Sequence, residues 1–191
     1  MRLAIFGGTF DPIHDAHLAL AREAVRACRL DRVLLIPAAH PPHKHGVTRA
    51  PYEDRYRMVE LACAGETALE PSRLEAGEER SYSIRTIEKI RERPGPAVDL
   101  LFLIGADAFA EIRTWRRWDD VVRQVEFIVA SRPGHVYEIP PGARVRRLET
   151  FEMEVSSSAI RARLAAGDFT VPVPPPVLAY IRERGLYAPA G

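Results

Sequence analysis

Apolar positions along this chain follow two alternating patterns. In Arg2–Phe6, Arg32–Pro37, Leu100–Gly105 and Glu126–Ser131 nearly every interior position is apolar, with weaker runs at Thr67–Pro71 and around Val145–Leu148. Between them, Ala16–Cys28, Tyr52–Ala64, Ser83–Arg91 and Trp118–Arg123 repeat their apolar residues every three to four positions. Continuous apolar runs suit strands buried on both faces, and the longer periodic stretches suit amphipathic helices. Their alternation predicts an α/β fold, a doubly wound, mostly parallel sheet with helices on both sides. The last part changes character: Ser157–Ala166 and Pro176–Gly185 read as two helices joined through the proline-rich Val171–Pro175. A core over 1–155 and a small helical part over 156–191 are therefore expected, within one continuous structural domain. Proline at the start of a helix is tolerated because its missing N–H would be unpaired there.

An open parallel sheet binds ligands beyond the carboxyl ends of its strands, where the topology changes direction. His14 and His17 follow the first predicted strand, Lys44 the second, Gly105 and Asp107 the fourth, and Arg132 the fifth. One cleft would gather all of them.

Length and composition narrow the partners. At 191 residues the chain is long enough for a substantial core. Its formal net charge of +1 offers no global attraction to nucleic acid or acidic membranes. No apolar run approaches membrane-spanning length and no signal-like start is present, so a cytoplasmic protein is expected. Cys28 and Cys63 both lie in helical patterns and are expected as buried, reduced thiols. Of 27 basic residues only Lys44 and Lys89 are lysines, asparagine is absent and Gln124 is the only glutamine. Against that arginine bias, a retained lysine draws attention to a compact ammonium charge.

The segment Gly7-Gly8-Thr9-Phe10-Asp11-Pro12-Ile13-His14-Asp15-Ala16-His17 joins the first strand to the first helix. Glycines let the backbone approach a ligand, Thr9 adds a hydroxyl, and Asp11-Pro12 initiates a turn. A helix start exposes unpaired N–H groups and a positive dipole end, which suit a phosphate. A second such start is Val155-Ser156-Ser157-Ser158-Ala159-Ile160-Arg161, where hydroxyls and an arginine one turn in form another anion cradle. Read blandly, these are helix caps and surface side chains. Two cradles in one chain favour the phosphate reading.

The first segment resembles the signature of the nucleotidyltransferase superfamily with a His-x-Gly-His motif. Its GGTFDP followed by His14 and His17 is similar to the bacterial nicotinate mononucleotide adenylyltransferases. Ala16 stands where that family has glycine, so an adenine would lie against a methyl group. Pro37-Ala38-Ala39-His40-Pro41-Pro42-His43-Lys44 resembles the family's P-x-x-x-P-P-H-K loop, with Ala38 where an asparagine is common. Ser81-Tyr82-Ser83-Ile84-Arg85-Thr86 resembles a segment lining the mononucleotide pocket through a hydroxyl and main-chain groups. Leu103-Ile104-Gly105-Ala106-Asp107 resembles the I-G-A-D of the adenosine side, and Trp115 matches a tryptophan that stacks on a pyridine ring. Val155–Arg161 is similar to the superfamily's second signature, and Val177–Ile181 with Gly185–Tyr187 resembles the family's C-terminal helix.

The resemblance covers essentially the whole chain and implies a Rossmann-like fold. It also implies adenylyl transfer from ATP to nicotinate mononucleotide, giving nicotinate adenine dinucleotide and pyrophosphate, a late step of NAD biosynthesis. His14, His17, Lys44 and Arg161 would be catalytic. Gly7, Gly8, Thr9, Phe10, Gly105, Asp107, Ser156, Ser157 and Ser158 would join His14, His17 and Arg161 around ATP. Thr9, Lys44, Ser81, Thr86, Trp115 and Arg132 would hold the mononucleotide. Mg²⁺ is expected to arrive with ATP, with no dedicated protein metal site and no tightly bound organic cofactor. ATP and nicotinate mononucleotide are the expected partners, without nucleic acid or membrane, and a homo-oligomer is compatible with the chain. Nicotinamide mononucleotide as an acceptor, phosphopantetheine adenylyltransfer, and a non-catalytic nucleotide-binding module remain alternatives.

Overall fold

The computed structural model describes residues 1–40, 48–95, 97–149 and 155–188. Six strands form one sheet: β1 (Arg2–Gly8), β2 (Arg32–Pro37), β3 (Leu69–Pro71), β4 (Asp99–Gly105), β5 (Glu126–Ser131) and β6 (Arg144–Glu149). Every pairing is parallel, and the order is β3-β2-β1-β4-β5-β6. This is the α/β, Rossmann-like architecture expected from the sequence. The order reverses between β1 and β4, where both strands end in glycine.

The sheet sorts its residues by parity, as side chains on a strand alternate between faces. Ala4, Phe6, Val33, Leu35, Leu101, Leu103 and Ile128 face one apolar cluster. Leu3, Ile5, Leu34, Ile36, Leu100, Phe102 and Phe127 face the other. The first face is covered by α1 (Asp15–Cys28), α2 (Tyr52–Cys63), α6 (Ser157–Ala165) and α7 (Pro175–Arg184). The second is covered by α3 (Ser83–Arg91), α4 (Ala106–Ala110) and α5 (Trp118–Gln124). Residues Val171, Val173, Val177 and Ile181 from the C-terminal part are buried in the same cluster as β1. Tyr180 donates a hydrogen bond to Asp54 of α2 at 2.7 Å, which ties α7 to that layer.

Several boundaries differ from the sequence reading. β1 runs on through Gly7 and Gly8, because both pair in register with Ile36 and Pro37 of β2. β3 is only Leu69–Pro71, and α4 with the 3₁₀ turn Ile112–Thr114 was not expected. The last helix begins at Pro175, inside the proline-rich segment read as a linker. Cys28 and Cys63 are buried free thiols, as expected. Among the described residues, no helix is long and apolar enough to cross a membrane.

Gly8 has a steric rather than a conformational role. The Phe10 ring lies over it so closely that an added Cβ would stand 2.9 Å from Phe10 Cζ. Phe10 is buried and packs edge-on against Phe6 and His17, with centroids 5.6 and 5.0 Å away. Gly8→Ala should therefore cost about 1–3 kcal/mol by overpacking. Urea unfolding measures this, and an unchanged midpoint would mean that the ring yields freely.

Candidate active site

The β1–α1 junction is built around a buried turn. Asp11 is buried, and its carboxylate accepts the Arg49 N–H at 2.8 Å, the Ala50 N–H at 3.1 Å and the Tyr187 hydroxyl at 2.7 Å. Burial, and then the neighbouring Asp11 charge, push the Tyr187 hydroxyl far above the usual tyrosine range. Phe10, just before, sits in the left-handed region at φ 47°.

Arg55 of α2, 1% exposed, lies beneath this turn. It donates to the carbonyls of Thr9 at 2.7 Å, Ala38 at 2.8 Å, Ala39 at 3.3 Å and Ala50 at 3.2 Å. Burial lowers its affinity for its proton, and the charge of Asp11 opposes that effect. An arginine starts so far above neutrality that it stays charged. The loops that follow β1 and β2 are thereby held by one guanidinium.

His14 is the N-cap of α1, and its imidazole is 4% exposed. The His17 ring stacks on it, with centroids 3.7 Å apart and planes 21° from parallel. The His14 backbone N–H donates to His17 Nδ1 at 3.3 Å, which leaves the His17 Nε2 edge directed elsewhere. His14 Nδ1 is buried without a hydrogen-bond partner among the described residues. Burial pushes the His14 pKa down to about 4, so the ring is neutral near pH 7. A buried nitrogen left unpaired costs about 1–3 kcal/mol.

A second helix start meets the same turn. Arg161 of α6 donates through Nη1 to the Asp11 carbonyl at 2.7 Å and through Nη2 to the Ser158 hydroxyl at 3.1 Å. The Ser157 hydroxyl donates to the Pro12 carbonyl at 3.0 Å. Ser156 caps α6 by accepting the Ala159 N–H at 3.2 Å. Two helix N-termini thus converge on Asp11-Pro12.

The remaining expected residues are distributed around the carboxyl edge of the sheet. Gly7 is exposed, with open space where a side chain would point. Thr9 is half-buried beside it. Gly105 is the exposed N-cap of α4, with Asp107 in the exposed first turn. Arg132 is exposed just beyond the end of β5. Trp115 is half-buried and meets Phe102 edge-on at 5.6 Å, so it is partly a core residue despite its charged neighbours. Trp118 also packs against that core, as expected. Lys44 lies outside the described residues.

Ser81 and Thr86 lie at the start of α3, and both hydroxyls have partners within the fold. Thr86 is 2% exposed and donates its hydroxyl to Glu75 Oε1 at 2.8 Å. Ser81 also bonds Glu75, and its backbone N–H donates to the His40 carbonyl at 3.1 Å. These hydroxyls are spent on a buried carboxylate, which burial pushes above its ordinary range. Ser81 braces the loop after β2 through His40, and Thr86 fixes Glu75 of the segment after β3. Glu75, Arg55 and Tyr187 were missed by sequence reasoning. Arg55 did carry a signal, since it shares helical spacing with Met58, Val59 and Ala62 on the buried face of α2.

Comparison with known proteins follows this geometry. The cytidylyltransferase-like family model matches residues 5–163, from inside β1 into α6. The chain belongs to that family. It is 64% identical over 187 residues, covering 98% of this chain and 100% of its relative, to a protein of Solibacter usitatus (strain Ellin6076) described as "Probable nicotinate-nucleotide adenylyltransferase". A Pelobacter propionicus (strain DSM 2379 / NBRC 103807 / OttBd1) protein of the same description is 40% identical, covering 98% and 99% of the two chains. The fold resembles the Plasmodium falciparum nicotinic acid mononucleotide adenylyltransferase complexed with NaAD, at a TM-score of 0.79 and 19% identity, covering 97% of both chains.

The depressed His14 pKa has a consequence for stability. Between pH 6.5 and about 4 the unfolded state binds a proton at this site and the folded state does not. Stability therefore falls as pH falls through that window. At pH 4.5 His14 should cost about 2 kcal/mol relative to pH 7. Denaturant unfolding of the wild type and His14→Gln at both pH values isolates the effect. Identical pH dependence in the two proteins would refute it.

Proposed function

We propose that this protein transfers the adenylyl group of ATP to nicotinate mononucleotide, releasing pyrophosphate and forming nicotinate adenine dinucleotide. The observation that carries the reading is the convergence of α1 and α6 on the Asp11-Pro12 turn, beside the unpartnered His14. Two positive helix ends, an imidazole pair and an arginine suit a polyphosphate better than any neutral ligand. The descriptions of the similar Solibacter and Pelobacter proteins agree with this activity. Two solved structures of the Plasmodium enzyme, named as complexes with NaAD and with APC, have the same fold.

The acceptor's 5′-phosphate is largely a dianion at neutral pH, since its second pKa is about 6. It needs no general base. One of its oxygens forms a bond to the α-phosphorus of ATP as the bond to the bridging oxygen breaks, and that electron pair leaves with pyrophosphate. No covalent adenylyl-protein intermediate forms. Catalysis then consists of alignment and of stabilising charge on the leaving group.

His14 and His17 would donate hydrogen bonds to the triphosphate, and Arg161 and Lys44 would neutralise it. A ligand oxygen at His14 would relieve the unpaired nitrogen. Gly7, Gly8, Thr9 and Phe10 would lie along the nucleotide, with the Ser156–Ser158 start of α6 at the phosphates. Gly105 and Asp107 suit the ribose diol, Trp115 the pyridine ring, and Arg132 the acceptor phosphate.

Among the described residues, no group of three or more His, Cys, Asp or Glu side chains is placed to hold a metal ion. Mg²⁺ would enter with the ATP substrate, held largely by phosphates and water. Phosphopantetheine fits less well, because Trp115 offers an aromatic plane to a ring. A purified-protein assay with ATP should release pyrophosphate with nicotinate mononucleotide and not with phosphopantetheine. His17→Ala should lower kcat by about 10²–10³-fold with folding retained. Absence of turnover with every acceptor, or unchanged turnover in His17→Ala, would overturn the assignment.

A further inference from the structure

We infer that Tyr187 is a positioning residue for the proposed transfer, acting through Asp11 on the turn where the starts of α1 and α6 converge, a role that rests on the transferase reading above. The C-cap of α7 is the left-handed Gly185, and the Leu186 N–H donates to the Ile181 carbonyl at 3.0 Å, which folds the chain back on itself. Leu186 and Tyr187 then pack against the apolar cluster that holds Phe6, Phe10 and Ile13 of the β1–α1 segment. Tyr187 sits in the left-handed region at φ 63°, which disfavours any residue with a side chain. Such strain persists where the surroundings over-determine it, commonly beside functional sites. Here it delivers one hydroxyl to Asp11 Oδ1, at 2.7 Å and across 176 positions of sequence.

Asp11 passes that contact on in two directions. Its Oδ1 also accepts the Ala50 N–H at 3.1 Å, and its Oδ2 accepts the Arg49 N–H at 2.8 Å, so it holds the segment that leads into α2. Its carbonyl accepts Arg161, and the next carbonyl, of Pro12, accepts the Ser157 hydroxyl. His14 follows two residues later as the N-cap of α1. Without the Tyr187 donor, Oδ1 would keep a single, longer partner in a buried place. A carboxylate in that position gains by rotating or by drawing in water, and either change moves the peptide that Arg161 grips. Burial, and then the Asp11 charge, keep the Tyr187 hydroxyl protonated, so it remains a donor.

Tyr180 supplies a matched comparison. It belongs to the same C-terminal unit and also donates its hydroxyl to a buried aspartate at 2.7 Å, but that aspartate is Asp54 of α2. Asp54 accepts Arg184 Nε as well, at 3.3 Å. These contacts fasten α7 to α2 and bond neither helix start. The two tyrosines make the same kind of bond, and only one of them makes it to the candidate site.

The test compares wild type, Tyr187→Phe and Tyr180→Phe, each variant keeping its packed ring and losing one hydroxyl. Urea unfolding verifies that all three are folded under the assay conditions. With ATP and nicotinate mononucleotide, Tyr187→Phe should lower kcat about tenfold or more and leave the KM for ATP within about twofold, because misalignment acts on the transition state more than on phosphate binding. Tyr180→Phe should keep kcat within about twofold of wild type. Equal losses in the two variants, or an unchanged kcat in Tyr187→Phe, would overturn the proposal. The imidazole nitrogen NMR signals of His14 and His17 provide a readout that needs no turnover: they should shift in Tyr187→Phe and hold their positions in Tyr180→Phe. If the wild type releases no pyrophosphate but the signals move in this way, the link from Tyr187 to the turn stands and the transferase reading fails. If neither turnover nor the shift is seen, both fail.

Discussion

The buried guanidinium of Arg55 is the constraint on which the rest of the candidate site depends. Removing such a charge from water costs several kcal/mol unless its N–H groups and its charge are both answered. Four backbone carbonyls answer the first requirement, and Asp11 contributes to the second. Because those carbonyls belong to Thr9, Ala38, Ala39 and Ala50, one side chain of α2 sets the relative position of the loops leaving β1 and β2. An aliphatic residue of similar size would strand four polar groups in the interior. The arrangement is over-determined, which is what a site that works by alignment needs.

Asp11 carries that constraint outward. Its carboxylate collects Arg49, Ala50 and Tyr187, and its carbonyl receives Arg161. A residue near the amino end thereby joins α6 and the segment after α7 to the helix start of α1. The same rigidity leaves His14 with a buried nitrogen unpaired. Natural folds tolerate such local conflicts where function requires them, and here a phosphate oxygen would resolve it. Stability and the proposed chemistry meet in one imidazole, neutral because it is buried, whose unpaired nitrogen the proposed substrate would answer.

Much of the fold was legible because buried parallel strands are continuous apolar runs, and four of the six strands are of this kind. Both helix-start segments were legible as anion cradles for a similar reason, since capping chemistry is local. What escaped the reading was non-local or short. Five residues at Ala106–Ala110 are too few to establish a helical period. Thr86 carried a hydroxyl that looked available, but its partner Glu75 lies in a loop with no periodic pattern to betray its burial. Ser156, grouped with the phosphate ligands, spends its side chain on its own helix. Arg55 stood on an apolar helical face, an anomaly that identifies a buried anchor only once its distant carbonyl partners are known.

The proposed reaction is one direct displacement at the α-phosphorus of an ATP held at the two converging helix starts. The stereochemical course of the reaction tests it most directly. With ATP made chiral at the α-phosphorus by oxygen isotopes, a single in-line attack by the mononucleotide phosphate inverts the configuration in the dinucleotide product. Inversion is the predicted result. Retention would show two successive displacements through a covalent intermediate and would contradict the account.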